Sequence, residues 1–393
     1  MIAERSVAIT GIGLSEVGRP AQSSALRLTV DAALQAIADA GLEVADIDGI
    51  STYPGASNTG PGFAPVGAQD LRLALGMEVS WYSSAALDSP SQFSAVANAI
   101  GAVSAGLARH VLVFRTISEA TSRLRDKQGQ SWAGSSDEIW GFWEWTAPYG
   151  VESPVPWYAT YAQRYMYDHG LTEEQLGAVA VNARRMAAGN PAAIYRDPLS
   201  LEDYLQGRSI SWPLRIFDCD VPVDGSVAFV VSRLDDAHQL FNPPLRFEAI
   251  GTAMGAGGLR DPLSLSSFGA EKAASMLWER SRIPRGSVRV AEIYDGMSIL
   301  TVHWLEALGF CAPGAVGAFI EGGENIGLKG RLPLNTGGGQ LSAGRLHGLG
   351  HLHEACTQLW GRGGARQVPN EPDIAAVSMG AYGLGCALLV RED

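Results

Sequence analysis

The chain has 393 residues, of which 46% are hydrophobic and 18% charged, which suits a compact protein with more than one core. Its formal net charge of -12 excludes a basic nucleic-acid-binding face. No apolar run reaches the eighteen residues of a membrane span, and residues 1–6 enter a strand pattern without a signal-peptide core. Four scattered cysteines, Cys219, Cys311, Cys356 and Cys386, form no CxxC pair, so a reducing cytoplasm is expected, with neither a zinc site nor a disulfide framework.

In chain order, residues 7–13 read as a buried strand ending in a glycine turn. Residues 24–40 read as an amphipathic helix with Leu26, Val30, Ala33, Leu34 and Ile37 on one face, closed by Gly41. Residues 47–53 form a second strand. Residues 91–108 are apolar nearly all round, the mark of a helix between layers, and 110–115 follow as a strand. Strand–helix alternation favours α/β architecture.

Between about 116 and 213 the pattern breaks. Trp132, Trp140, Trp143, Trp145, Tyr149, Trp157 and Tyr158 cluster there, as an apolar wall for a ligand or partner or as a small core of their own. Helices are expected at 156–168 and 172–188, the latter opened by a Thr172/Gln175 capping box. Residues 216–231 lead back into a strand.

The second part repeats the grammar: strand 245–251, helix 270–280, strand 288–293, helix 298–308, strands 374–380 and 383–390. This argues for an internal duplication, with halves 1–243 and 244–393 and the insertion in the first. Between the last helix and strands lies Asn335-Thr336-Gly337-Gly338-Gly339-Gln340-Leu341, continuing through Arg345, His347 and His351. The run is expected to open into a helix at residue 352, its free N–H groups available to negative charge. His347, His351 and His353 share helical spacing, but no carboxylate pattern completes a metal site, and none is expected. Asp88, Asp218, Asp224 and Glu292 read as structural carboxylates.

Taken together and in order, Arg164-Tyr165-Met166, Asp218 through Gly225, Glu292-Ile293-Tyr294-Asp295, Leu308-Gly309-Phe310-Cys311 and Asn335 through Leu341 resemble the thiolase superfamily over nearly the whole chain. The nearest likeness is to the thiolase-like lipid-transfer proteins related to sterol carrier protein thiolases. The resemblance implies a five-layer αβαβα sandwich of two similar halves, a homodimer and an acyl-CoA site. Coenzyme A would then be part of the substrate.

The departures from the thiolase pattern fall on its chemistry. Thiolases place a nucleophilic cysteine at the start of the buried helix, where this chain has Ser89, with no local triad partner in the sequence. Their second cysteine falls in the loop that here reads Met379-Gly380-Ala381, and their Gly-His-Pro histidine corresponds to Arg345. Tyr294 replaces the Asn or His of the oxyanion hole. The Tyr294-Asp295 pair resembles the aldolase branch of the lipid-transfer family, which cleaves β-hydroxyacyl-CoA esters of steroid side chains with a small OB-fold and zinc-ribbon partner, as a heterotetramer. Where those aldolases carry a second tyrosine, this chain has Arg345.

The resemblance therefore implies an acyl-CoA retro-aldolase. Tyr294 would handle the proton, with Arg345, His347 and Asp295 around it; an Arg345–Asp295 ion pair is the structural alternative. Asn335, Gly338, Gly339, Ser89 and Gly380 would line the thioester site, with main-chain N–H groups near Gly338 and Gly380 facing its oxygen. A non-catalytic acyl-CoA- or lipid-binding subunit, and an acyltransferase using Ser89, are the competing expectations.

Overall fold

The computed structural model describes residues 2–56, 62–86, 89–125, 144, 146–151, 153–254, 265, 269–380 and 383–392. Its strands are β1 (Val7–Leu14), β2 (Gly49–Thr52), β3 (Trp81–Ser84), β4 (His110–Ser118), the short hairpin β5 (Ser209–Ser211) and β6 (Leu214–Arg215), β7 (Asp224–Arg233), β8 (Leu245–Met254), β9 (Val290–Glu292), β10 (Ile374–Met379) and β11 (Gly383–Arg391). The helices are α1 (Ala25–Asp39), α2 (Ala68–Leu75), α3 (Phe93–Ser104), α4 (Glu119–Arg125), α5 (Pro154–His169), α6 (Glu173–Ala187), α7 (Leu201–Gln206), α8 (Leu234–Ala237), α9 (Ala270–Arg280), α10 (Ser298–Ala307), α11 (Val316–Ile320) and α12 (Leu349–Leu359).

Nine strands form one mixed sheet in the order β3-β2-β4-β7-β1-β8-β11-β10-β9. The pairing repeats. β1 runs antiparallel to β7, β7 to β4, and β4 is parallel to β2; likewise β8 runs antiparallel to β11, β11 to β10, and β10 is parallel to β9. The two half-sheets pair through Ala8↔Arg246 and Ile9↔Leu245.

Side chains alternate across each strand, and this period of two separates three cores. Val111 and Val113 of β4 point to a central core with α3 and α12, while Leu112 and Phe114 point to an outer core with α1 and α2. In the other half, Ala375 and Val377 of β10 face the central core and Ala376 faces α6, α9 and α10. The two half-sheets thus enclose α3 and α12 and carry helices outside, giving five layers. The Thr172/Gln175 capping box opens α6 as expected, with both bonds at 3.2 Å.

The face of α1 is only partly the one expected, since Ala33 and Ile37 are buried and Val30 packs beside them but the leucines of that face turn outward. Leu26 and Leu34 are exposed, and Leu28, Thr29, Ala32, Ala33, Ala36 and Ile37 are buried. Close approach decides the rotation. A Cβ on Gly11 would lie 2.2 Å from the Ala36 carbonyl oxygen, and one on Gly13 would lie 2.1 Å from that of Ala32. The alanine stripe, not the leucines, fits a strand stripped to glycine. Gly251 of β8 meets Ala273 of α9 in the same way, at 1.9 Å.

The insertion is only partly described. Trp132, Trp140, Trp143 and Trp145 lie outside the described residues, as does Asp88. Trp157 and Tyr158 are buried in α5, and Tyr149 is exposed. No described helix is long and apolar enough to cross a membrane.

Candidate active site

The carboxyl ends of parallel strands are where open α/β sheets present loops to ligands. β9 ends at Glu292, and Ile293 and Tyr294 follow. Asn335 clamps this turn: its Oδ1 accepts from the Ile293 N–H at 2.7 Å and its Nδ2 donates to the Ile293 carbonyl at 2.9 Å. The Tyr294 N–H donates to Ser378 Oγ of β10 at 3.0 Å. The Tyr294 ring is buried against Gly348, where a Cβ would lie 3.2 Å from Cδ2 and 3.0 Å from Cγ of Met379. Tyr294, the His347-Gly348 turn and the end of β10 therefore meet at one place.

Asp295 has a different task. Its fully buried carboxylate accepts the N–H groups of Gln340, at 2.8 and 3.1 Å, and of Leu341, at 3.4 Å. His351 Nε2 stands 2.9 Å away. Gly339 is required here, with φ of +57° and a Cβ position 1.9 Å from Asp295 Oδ2. Residues 339–343 form one π-helical turn, and α12 begins only at Leu349. The Gly-rich run thus turns the N–H groups of Gln340 and Leu341 on an internal anion.

Behind Asp295 runs a buried network. His351 Nδ1 lies 3.8 Å from Glu292 Oε2, the Thr336 N–H donates to Glu292 at 3.0 Å, the Thr336 hydroxyl lies between Glu292 at 2.8 Å and Glu354 at 2.9 Å, and Arg366 pairs with Glu354. Burial alone would push His351 down, but Asp295 and then Glu292 raise it to about 9. Burial holds the Glu292 carboxyl above its ordinary range, with Glu354 adding to the shift. Among the described residues no group of His, Cys, Asp and Glu could hold a metal ion.

Arg345 is ion-paired, and its partners are Glu119 and Asp220, the latter at 3.1 Å, not Asp295. His347 is buried at φ of +52°, its ring centroid 4.8 Å from that of Phe63. Its Nδ1 lies 3.0 Å from an Arg115 nitrogen. Arginine only donates, so Nδ1 accepts and Nε2 carries the proton. Burial, then Arg115 and Arg345, push His347 well below its ordinary value and keep it neutral.

Gly338 presses on Ala187 of α6, a Cβ there falling 2.5 Å from the alanine Cβ, and its N–H is bound to the Asn335 carbonyl at 2.8 Å. The Gly380 carbonyl receives Trp304 Nε1 at 3.4 Å. Ser89 Oγ donates to the Ala86 carbonyl at 2.6 Å and lies 3.2 Å from Ser94 Oγ, with no base among these contacts. The four thiols offer no nucleophile: Cys356 and Cys386 are buried, and burial raises Cys219 well above its ordinary value and Cys311 to about 12. Sequence reasoning passed over Arg115, Tyr53, Glu119 and Asp220. The available signal for Arg115 was a lone cation closing the apolar run His110–Phe114.

Comparison with known proteins agrees with this geometry. A profile of the family described as "Thiolase C-terminal domain-like" matches residues 258–389. The chain is 34% identical over 372 residues to the steroid side-chain-cleaving aldolase of Thermomonospora curvata, covering 89% of each chain. It is 34% identical over 365 residues to the 17-hydroxy-3-oxo-4-pregnene-20-carboxyl-CoA lyase of Mycobacterium tuberculosis, covering 90% of this chain and 91% of that one. Among solved structures, the Ltp2-ChsH2(DUF35) aldolase superposes with a TM-score of 0.88 at 30% identity, over 100% of this chain and 99% of that one.

The fold and its neighbours define a thiolase-fold protein. The chain belongs to the thiolase superfamily, in the branch of the steroid side-chain-cleaving aldolases. It is a carbon–carbon lyase.

Proposed function

We propose that the chain cleaves the Cα–Cβ bond of a β-hydroxyacyl-CoA bearing a steroid-type side chain, by a retro-aldol reaction. The observation that carries this is the buried Tyr294 just past the end of β9, packed beside the His347-Gly348 turn among polar groups and away from any reactive thiol among the described residues. Relatives named as an aldolase and a carboxyl-CoA lyase support the substrate class.

The chemistry needs no covalent intermediate. A base removes the β-hydroxyl proton, the β-carbon becomes a carbonyl, and the electron pair of the broken bond passes to the thioester as an enolate. That enolate then takes a proton at Cα. Tyr294 handles the proton in this reading. Neutral His347, with its proton on Nε2, supplies a hydrogen bond where negative charge develops. Arg345 and Asp295 hold the loops, through Glu119 and Asp220 and through residues 340–341. Asn335, Gly338, Gly339 and Gly380 shape the walls by packing, and Ser89 lies at the mouth of α3. Among the described residues no base contacts Ser89 to support its acylation.

The active form in this reading is a homodimer joined to a small OB-fold, zinc-ribbon protein. The name of the Ltp2-ChsH2(DUF35) neighbour supports a partner, and β3 leaves one edge of the sheet open with Tyr82 exposed. The test is incubation with a β-hydroxyacyl-CoA of this type, with and without such a partner, followed by mass spectrometry. A ketone and a shortened acyl-CoA in equal amounts are expected. Free CoA without carbon–carbon cleavage, or an acylated Ser89, would overturn the reading.

A further inference from the structure

Alternation along β4 puts Arg115 on the face that carries Val111, Val113 and Ile117 into the central core, so its charge enters the layer of α3 and α12. Its side chain is buried. One guanidinium nitrogen lies 3.0 Å from His347 Nδ1, and another donates to the Thr116 carbonyl at 3.4 Å. Phe63 packs on both partners: its ring centroid is 4.7 Å from the Arg115 guanidinium carbon and 4.8 Å from the centroid of the His347 ring. The chain before Phe63 is fastened to β4, where the Ser118 N–H donates to the Gly62 carbonyl at 2.8 Å. His347 is thus held by two side chains, at a φ of +52° that residues with a side chain rarely adopt.

The sign of the partner matters. A site histidine is commonly oriented by a carboxylate or a carbonyl, which accepts from one ring N–H and leaves the other nitrogen bare and basic. His351 has partners of that kind in Asp295 and Glu292. His347, one helical turn earlier in sequence, has the opposite kind. A guanidinium only donates, so it occupies the Nδ1 lone pair, sends the ring proton to Nε2 and opposes a second proton. The other charged and titratable groups around the ring do not reverse this. Arg345 adds positive charge and is paired with Glu119 and Asp220, Tyr53 lies against Arg115 at 5.9 Å, and Tyr294 packs on Gly348. Nε2 lies on the ring edge turned away from Arg115, in the residue that precedes this Tyr294 contact.

We propose that Arg115 is a positioning residue that acts through His347: its contact with Nδ1 locks the imidazole as a fixed Nε2–H donor, and that donor holds the thioester oxygen of the acyl-CoA as the enolate forms. No proton leaves the ring. With its lone pair turned on Arg115, His347 is barred from acting as the base, and the charge that builds on oxygen meets an N–H already in place. The use of the hydrogen bond rests on the lyase reading; the lock itself does not.

The lock is read without substrate. NMR of histidine labelled at its ring nitrogens separates a bare nitrogen from a protonated one, and the His347 signals are those lost in His347→Gln. In the wild type Nδ1 should be bare and Nε2 protonated, without change between about pH 5 and about pH 9. Arg115→Met removes the donor, and the Nδ1–H form or the imidazolium should appear. Arg115→Lys still donates and should keep the wild-type form. In steady-state kinetics Arg115→Met should lower kcat at least about tenfold with KM little changed, up to the roughly 100- to 1,000-fold lost with the donor itself. Arg115→Met combined with His347→Gln should be no slower than His347→Gln alone, the mark of one residue acting through the other. A wild type with the proton on Nδ1, a folded Arg115→Met that keeps the Nε2–H form, or losses that add in the double variant overturn the proposal. If Arg115→Met does not fold, Arg115→Lys decides, since loss of the Nε2–H form there overturns it equally. A wild type that shows the lock but cleaves no acyl-CoA refutes the lyase reading and leaves Arg115 in its role at His347.

Discussion

His351 Nε2 stands 2.9 Å from Asp295 Oδ1, with both side chains cut off from solvent. This contact ties α12 to the turn after β9, and so fixes the loop that carries His347 relative to Tyr294. It also makes the site sensitive to alkali. The folded-state pKa of His351, about 9, lies above its unfolded value near 6.5. The stabilisation is therefore fully present below about pH 6.5 and is lost as pH rises through 9, by an amount on the order of 3 kcal/mol. Urea denaturation between these limits should show the fall, and His351→Gln should flatten it.

Tyr294→Phe retains the ring that packs on Gly348 and Met379 and removes only the hydroxyl. Turnover should drop roughly 100- to 10,000-fold with acyl-CoA binding nearly unchanged. The check is steady-state kinetics beside calorimetric binding. Retention of most of the cleavage rate would remove Tyr294 from the chemistry.

Arg345→Ala strips the partner from two carboxylates, the buried Glu119 and the partly buried Asp220. Breaking such a group from one side costs about 3–5 kcal/mol. Denaturant midpoints should show this loss, and Arg345→Ala combined with Glu119→Gln should recover part of it. If Arg345→Ala were as stable as the wild type, the ion pairs would not be holding the loop.

Gly339→Ala should be among the most disruptive single-methyl changes in the protein. The new carbon would meet Asp295 Oδ2 at 1.9 Å in a backbone of positive φ. Either the π turn or the Asp295–His351 contact must give way, with activity lost by at least about 100-fold. Nearby Gly337→Ala, whose Cβ position is 3.0 Å from the flexible end of Glu354, should be milder. Comparing activity and melting temperature of the two variants tests this.

The layers of the fold could be read from period and polarity. An all-round apolar stretch at 91–108 became the enclosed helix α3, and the strand–helix alternation became a mixed sheet with helices on its faces. Tyr294 could be placed because it follows a short apolar strand. What could not be read is the direction in which polar groups face. Asp295 beside Tyr294 looks like a second catalytic group in sequence, yet it accepts the main-chain donors of residues 340–341, which come from far along the chain. Arg345 carries no mark of Glu119 or Asp220, which are brought to it from 226 and 125 residues away. The buried face of α1 was misread because leucines outweigh alanines on any hydrophobicity scale, while the fit to Gly11 and Gly13 depends on size.

The position of β11 bears on how the protein is made. It follows β10 in chain order, yet it lies between β8 and β10, joined to β8 by nine residue pairs. Until it emerges from the ribosome, β8 and β10 each present an open edge, and the carboxyl-terminal half has no completed sheet on which α9 and α10 can settle. The amino-terminal half waits on less, since β7 closes it midway through synthesis. Folding of this enzyme is therefore completed after translation has passed residue 391, and the nascent chain before that point is the species most exposed to edge-to-edge association.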